Sequence, residues 1–465
     1  MPEYLTLIDF GSTFTKGVVV ERESERIAAR ACTPSTVATD VREGLDRLLA
    51  ELGERLSPEA VAESRKIACS SAAGGLRTVI IGLVPELTLE AGRKAACNAG
   101  AKIAGAFSGE LTPPNLKELL ALGPDLVLLS GGTDGGNKTV LLANARALAA
   151  SSYRNPIIVA GNRNASYEAS ELLRAAGHEA ILTENVMPEI GKLNIEPARE
   201  TIRRVFIDRI IIAKGIGRVR ELVDVRMPTP DAVLRGVTLI ANGTERESGY
   251  GEMLAVDVGG ATTDVYSVAS GAPTQPNTNL KNMLPEPYVK RTVEGDLGIR
   301  HNAVSILETV GKTRLAELAG LSPADGAFAE HYCRTVEPAF VPTEPQEIAA
   351  DAALAKSAVE LAVARHAGLL EKTYLPGVGE AYFQTGKDLR GTHIVLGTGG
   401  PIINSRDPAE VLSMAKWNER EPFRLRPSKP VFFCDTQYLL YAVGLLSEEY
   451  PDLALHLAKR YLQIL

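Results

Sequence analysis

The chain has 465 residues, 50 of them Lys or Arg and 57 Asp or Glu, and a formal net charge of −7; no basic footprint for nucleic acid is present. With 45% hydrophobic and 23% charged residues the composition is globular, and the length allows roughly two to four domains with cores of their own. The five cysteines (Cys32, Cys69, Cys97, Cys333, Cys434) are scattered, odd in number and never paired as C-x-x-C, so they read as free thiols of a reducing compartment, not as disulfides or a zinc or iron–sulfur site. The first residues run straight into a strand without a signal peptide, and no apolar run reaches the ~18 residues of a membrane helix, so the expected location is the cytoplasm.

Leu5 to Ile8 reads as a strand that runs into Asp9-Phe10-Gly11-Ser12-Thr13-Phe14-Thr15-Lys16 and returns through Gly17 to Val20. The glycine turn lets backbone N–H groups face an anion, and Lys16 adds a cation that can reach a phosphate. Arg26 to Cys32 is a further strand. Arg42 to Leu56 has helical spacing, with Leu45, Leu48, Leu49 and Leu52 on one stripe. Lys66 to Ser70 is a short strand and Val79 to Val84 an apolar run. Thr88 to Ala101 reads as a helix with Thr88 as its N-cap.

From about residue 113 the pattern changes. Leu126–Leu129, Ile157–Ala160 and Ala180–Leu182 are strands separated by helices over 141–150 and 167–176, a βαβαβ unit that predicts a small parallel sheet. Each strand ends in a polar turn, marked by Asp134, Asn162 and Asn185. Turn chemistry and helix capping explain these residues more simply than a ligand does, although ligands of open α/β sheets gather at such ends. The first turn fails as a Walker A loop because Asn137 stands where that motif needs Lys. Pro197 to Ala213 is a long amphipathic helix towards the second half.

Met253 to Val256 leads into Asp257-Val258-Gly259-Gly260-Ala261-Thr262-Thr263-Asp264 and a return strand, the same grammar as at Asp9. Both aspartates suit a magnesium ion or its water shell. Ala272 to Pro287 and Val336 to Pro345 are Pro-rich loops, and Ala349 to Ala364 is an alanine-rich helix. Ile394 to Leu396 leads into a third glycine turn, Gly397-Thr398-Gly399-Gly400-Pro401. Two closing helices follow over 436–446 and 453–462.

Asp9 to Lys16 resembles the first phosphate loop of the actin and sugar-kinase superfamily, Asp257 to Asp264 resembles its second, and Gly397 to Pro401 its adenosine loop, in the order that superfamily uses. The resemblance implies an α/β fold: a two-lobed actin-like ATPase of ribonuclease H-like repeats, with an inserted small parallel α/β subdomain. It implies a first lobe over 1–112, the insert at 113–195, a connecting helix within 196–231, a second lobe over 232–435, and closing helices at 436–465 that pack back on the first lobe. It implies ATP or ADP with Mg2+ held between the halves. Asp9 and Asp257 would be the catalytic and metal-holding carboxylates, and Gly11, Ser12, Thr13, Lys16, Gly259, Gly260, Thr262, Gly397, Gly399 and Gly400 would contact the nucleotide. Thr13 and Thr262 are favoured over Thr15 and Thr263 as hydroxyl ligands by their position in the turns. Glu110 and Asp296 are candidates for orienting the attacking water.

A deeper resemblance runs through 126–137, Val159 to Asn162, Glu184 to Pro188, Leu193 to Arg199 and Val293 to Gly298. These segments resemble the MutL accessory family encoded with adenosylcobalamin-dependent glutamate mutase. What this implies is an ATP-dependent accessory or reactivating factor whose partners are the subunits of a methylaspartate (glutamate) mutase or an ornithine aminomutase, with nucleotide state driving closure of the halves. The insert would be the surface that recognises the mutase. No His carries the spacing of a cobalamin-binding module, and the six histidines are isolated. The alternative within the superfamily is a small-molecule kinase, which needs a catalytic base that the sequence does not display. An activator carrying electrons on a cysteine-held cluster is disfavoured by the scattered cysteines.

Overall fold

The computed structural model describes residues 3–11, 13–36, 40–71, 76–213, 222–281, 284–322, 325–337, 340–377 and 379–465. It divides into two units. The first comprises Met1–Gly236, Asn282–Pro287 and Tyr441–Leu453, and the second Val237–Lys281, Tyr288–Leu440 and Ala454–Leu465.

One sheet of the first unit orders its strands Asp224–Pro228, Arg65–Ser70, Tyr4–Phe10, Phe14–Glu21 and Arg26–Pro34. Tyr4–Phe10 pairs antiparallel with Phe14–Glu21 and parallel with Arg65–Ser70. The helix Val41–Arg55 starts where Asp40 accepts the N–H of Arg42, and its stripe Leu45, Leu48 and Leu52 is fully buried together with Ile8, Phe10 and Val19. Each such leucine contributes roughly 1.5–3 kcal/mol by leaving water.

The main sheet of the second unit has the same plan. Its strands run Val289–Glu294, Thr263–Val268, Met253–Val258, Ile394–Thr398 and Val431–Cys434, with the short Gln463–Ile464 added at the edge. Met253–Val258 pairs antiparallel with Thr263–Val268 and parallel with Ile394–Thr398. Three antiparallel strands followed by two parallel ones, in the order third, second, first, fourth, fifth, occur in both units. That is the ribonuclease H-like repeat, present twice. The alanine-rich helix, observed as Pro345–His366, buries Ala350, Ala353, Ala358 and Ala362 against the second sheet, where small side chains permit close packing.

The inserted sheet is larger than the pattern from residue 113 implied. Its strands run Lys102–Ser108, Arg77–Gly82, Leu126–Leu129, Ile157–Val159 and Ala180–Leu182, all parallel. The sheet therefore begins at Arg77. Helices cover both faces: Ile80, Leu128 and Ile158 belong to one core, Val79, Val127 and Ile157 to the other. Burial on both sides explains why the central strands Leu126–Leu129 and Ile157–Val159 read as unbroken apolar runs. The helix Glu196–Ala213 lends Ala198, Ile202, Val205 and Phe206 to the first of these cores.

Two local expectations are corrected. Thr88 is not an N-cap: helical structure starts earlier, with Pro85 at the first helical position, and the Thr88 hydroxyl instead accepts the N–H groups of Leu83 and Val84. The closing segment is shared between the units. In the first, the Tyr441 hydroxyl donates to Leu7 O (3.3 Å) and Gly444 lies against the Ala232 carbonyl; in the second, Gln463–Ile464 pairs with Val431–Cys434. Among the described residues no helix is long and apolar enough to cross a membrane.

Candidate functional site

Both Asp-Gly hairpins stand at the carboxyl end of the first strand of their repeat. In the first unit the Gly11 N–H donates to Phe14 O (3.1 Å), closing the turn. Ser35 braces it, its N–H donating to Thr13 O (2.9 Å) and its hydroxyl to Gly11 O (2.8 Å). Thr13 is exposed and Thr15 buried, so of the two only Thr13 can offer a hydroxyl to a ligand. Ser12 lies outside the described residues.

Asp9 is 5% exposed and sits between Lys16 on one neighbouring strand and Cys69 on the other. The hydroxyl of Thr229, the first residue of the helix Thr229–Asn242, donates to Asp9 Oδ1, and the Cys69 thiol is 3.6 Å from the same oxygen. Burial pushes the Asp9 carboxyl above its ordinary value against the opposing pull of Lys16, Thr229 and Cys69. The thiol of Cys69 is itself pushed well up, first by burial and then by Asp9. Sequence reading missed Thr229. The signal was available: Thr between two prolines at the start of an apolar helix is a helix-start pattern.

In the second unit the Gly259 N–H donates to Thr262 O (2.9 Å), the same closing bond at the same place in the turn. Asp257 is half-buried and faces Asp264 across the hairpin and Thr398 on the parallel strand. Asp264 is neutralised by a partner the sequence did not reveal: its Oδ1 lies 2.9 Å from Arg291 Nε and 2.6 Å from Arg291 Nη2, a buried pair. Thr262 donates its hydroxyl to Asp264 Oδ2 (3.1 Å), and Thr263 turns inward to Leu297 O.

The segment 295–302 cradles this turn. Arg300 and His301 donate their N–H groups to Gly260 O, Ile299 donates to Gly259 O, and Asn302 Nδ2 donates to Ala261 O. A side chain on Gly298 would strike the Ala261 carbonyl carbon at 2.2 Å, so only glycine permits this approach. The Arg300 guanidinium in turn holds Asp351 on the alanine-rich helix, which also accepts the Tyr332 hydroxyl. Asp296, a candidate for orienting water, is held by both terminal nitrogens of Arg365 (2.8 and 2.9 Å). Glu110, the other candidate, follows the strand Lys102–Ser108 of the inserted sheet and so belongs to a different sheet from either hairpin.

The third glycine turn meets the second hairpin. Gly399 has φ +92°, and a Cβ on it would lie 2.2 Å from Val258 O and 2.6 Å from Asp257 Oδ1. The turn thus presses against the Asp257 carboxylate. Gly397 packs under Leu412 and Ile402, and Gly400 opens the short helix Gly400–Ile403.

The polar turns of the inserted sheet satisfy one another. Asn162 Oδ1 accepts from Gly135 and Asn164, its Nδ2 donates to Gly136 O and Asn137 O, and Asn185 Nδ2 donates to Gly132 O and Asp134 Oδ1. They are loop architecture. A groove of about 950 Å³ in the first unit is lined by Arg65, Lys66, Arg203 and Arg226 and contains none of the hairpin residues; its three arginines are already paired with Glu449, Glu448 and Asp224.

Two ribonuclease H-like repeats with an Asp-Gly hairpin apiece define the actin and sugar-kinase class of fold. The MutL protein family model matches residues 5–462. The chain is also 43% identical to Protein MutL of Clostridium tetanomorphum over 463 residues, 99% of each chain. It belongs to the MutL protein family. Among solved structures it is similar to a nucleotide-free acetone carboxylase (13% identity, 96% of this chain and 70% of that one, TM-score 0.43). It is also similar to the gluconate kinase of Lactobacillus acidophilus (10% identity, 100% and 93%, TM-score 0.36). Both scores are below 0.5; the class is defined by the two strand orders.

Proposed function

We propose that this protein binds ATP and ADP with magnesium through its two Asp-Gly hairpins and serves as an accessory or reactivating factor for an adenosylcobalamin-dependent mutase of the glutamate mutase type. The observation that carries the nucleotide reading is the duplication itself. Two turns far apart in sequence share one closing hydrogen bond, one strand position and one acidic residue. Such turns offer backbone N–H groups to phosphate oxygens.

Gly11 and Thr13 in the first unit, and Gly259, Gly260 and Thr262 in the second, are the residues that would meet the phosphates, with Lys16 supplying a positive charge. Asp9 and Asp257 would hold magnesium through its water shell. The fit is that of donor chemistry: one aspartate at the end of each hairpin's first strand offers the hard carboxylate oxygen that magnesium takes while it retains its waters. Asp9 is oriented by Thr229, and the Gly399 turn stands beside the Asp257 carboxylate. Bound magnesium would neutralise charge on the phosphates. The kinase alternative requires a base, and the candidate Asp296, just past the strand Val289–Glu294, is engaged by Arg365.

The test is a thermal melt of the full chain titrated with MgADP and MgATP, followed by retention of glutamate mutase-type subunits on the tagged chain with and without MgATP. Nucleotide at ~100 times its dissociation constant should add about 2.7 kcal/mol of stability. No rise in melting temperature with either nucleotide sinks the nucleotide reading. A rise without mutase retention in any nucleotide state sinks only the partner. Exchanging 113–195 for a linker is the wrong way to test the insert, because it would strip Arg77–Gly82 of the parallel neighbour Leu126–Leu129.

A further inference from the structure

Asp231 is the third residue of the helix Thr229–Asn242 and is fully buried. A buried carboxylate is tolerated only when it is paired. Its partners come from two helices. Arg199 donates to Asp231 Oδ1 from both Nε (3.2 Å) and Nη2 (2.8 Å), and Arg203 Nε stands 3.9 Å from Oδ2. Both arginines belong to the helix Glu196–Ala213. Arg235, one turn along the helix of Asp231 itself, donates from Nε to Oδ2 (3.1 Å). Arg203 Nε also donates to the Arg226 carbonyl (3.0 Å), on the strand Asp224–Pro228 that runs straight into Thr229.

The helix Glu196–Ala213 thus has two tasks. Ala198, Ile202, Val205 and Phe206 lie in a core of the inserted sheet, while Arg199 and Arg203, four residues apart, reach the start of the helix Thr229–Asn242. Two residues before Asp231, the Thr229 hydroxyl donates to Asp9 Oδ1. That hydroxyl stands on the Cβ of a branched side chain with little rotamer freedom, so its position follows the helix backbone. Every residue in this series of contacts belongs to the first unit. An unbroken path of packed and hydrogen-bonded groups therefore joins the inserted sheet to the carboxylate at the end of the first hairpin's strand.

We propose that Asp231 is a positioning residue for the Asp9 site: it fixes the helix start that sets the Thr229 hydroxyl on Asp9, and its arginine partners tie that setting to the inserted sheet. This rests on the nucleotide reading above and names the part of the chain that controls magnesium there. A displacement of the helix Glu196–Ala213, of the kind a protein bound to the insert would impose, draws Asp231 with it, because leaving a buried charge unpaired is costly. The Thr229 hydroxyl then leaves Asp9, and the hold on magnesium weakens.

The experiment is calorimetry on the full chain with MgADP, run as a double-mutant cycle between Asp231→Asn and Thr229→Val. Each single variant should weaken MgADP on the order of 10-fold, the scale of one hydrogen bond to a charged group. The double variant should be no weaker than the weaker single, since both changes release the same contact. With EDTA in place of magnesium, all three should bind ADP as wild type does. Arg199→Gln, which loosens the carboxylate without neutralising it, should give the same loss and the same lack of additivity, and it decides the matter should Asp231→Asn fail to fold. Unchanged MgADP affinity in Asp231→Asn or in Arg199→Gln overturns the proposal. Losses that multiply to on the order of 100-fold in the double variant overturn it as well. So does a loss as large for ADP in EDTA as for MgADP, which makes Asp231 merely structural. If wild type itself binds no MgADP, the nucleotide reading falls and this proposal with it.

Discussion

The two hairpins share a backbone and differ in their electrostatics. Across the strand from Asp9 stands Lys16; across the strand from Asp257, at the corresponding position, stands Asp264. The first aspartate is buried, with a hydroxyl and a thiol on its oxygen. The second is half-buried, beside another carboxylate that Arg291 neutralises. The repeat conserves what the turn must do, which is to close with one hydrogen bond after the first strand. It leaves free how each carboxylate is held. In the first hairpin the cation stands directly across the strand from the aspartate, whereas in the second it comes from a third strand and holds the second carboxylate.

The largest test of this contrast removes the cation from each side. Arg291→Leu leaves Asp264 buried and uncompensated, which should cost about 3–5 kcal/mol. Lys16→Met should change nucleotide affinity more than stability. Denaturant titration of both variants checks the comparison; equal stability losses would erase the distinction between the two cations.

A smaller effect is expected at Thr229. Thr229→Val removes the hydroxyl from a buried carboxylate and should cost about 1.5–3 kcal/mol, the worth of a hydrogen bond to a charged group, while Thr229→Ser should restore it. A Val variant as stable as the Ser variant, by thermal melt, would mean that the hydroxyl does not hold Asp9.

The smallest effect is a pH dependence. Burial holds the Asp9 carboxyl above its ordinary value, so the folded chain keeps a proton that the unfolded chain has released. From the ordinary carboxylate range up to the raised folded value, stability from this group therefore falls as pH rises, and the deficit persists at neutral pH. Asp9→Asn should melt at or above the wild-type temperature at pH 7 and lose this part of the pH slope, although it removes the proposed metal ligand. A melting temperature well below wild type at pH 7 would show that ionised Asp9 stabilises the fold.

The hairpins were legible because their chemistry is local. Asp-x-Gly after an apolar strand fixes a turn whose closing bond spans a few residues, as Gly11 to Phe14 and Gly259 to Thr262 show. The central strands of the insert, Leu126–Leu129 and Ile157–Val159, were legible because burial on both faces demands unbroken apolar runs, whereas the edge strand Lys102–Ser108 was not. Membership in a sheet was not. Arg77–Gly82 reads the same whether its neighbour is the first strand of the chain or Leu126–Leu129, since pairing is decided by packing of both faces and not by local pattern.

By itself, then, the sequence determined the order of the three glycine turns, the two matching hairpins and the two aspartates, all of which rest on backbone conformation within short windows. Tertiary structure alone decided what those aspartates touch. Thr229 is 220 residues from Asp9, Arg291 is 27 from Asp264, and Gly399 reaches Asp257 from another strand of its sheet. A carboxylate's environment is set by whatever burial brings within a few ångströms of it, and chain separation carries no information about that distance.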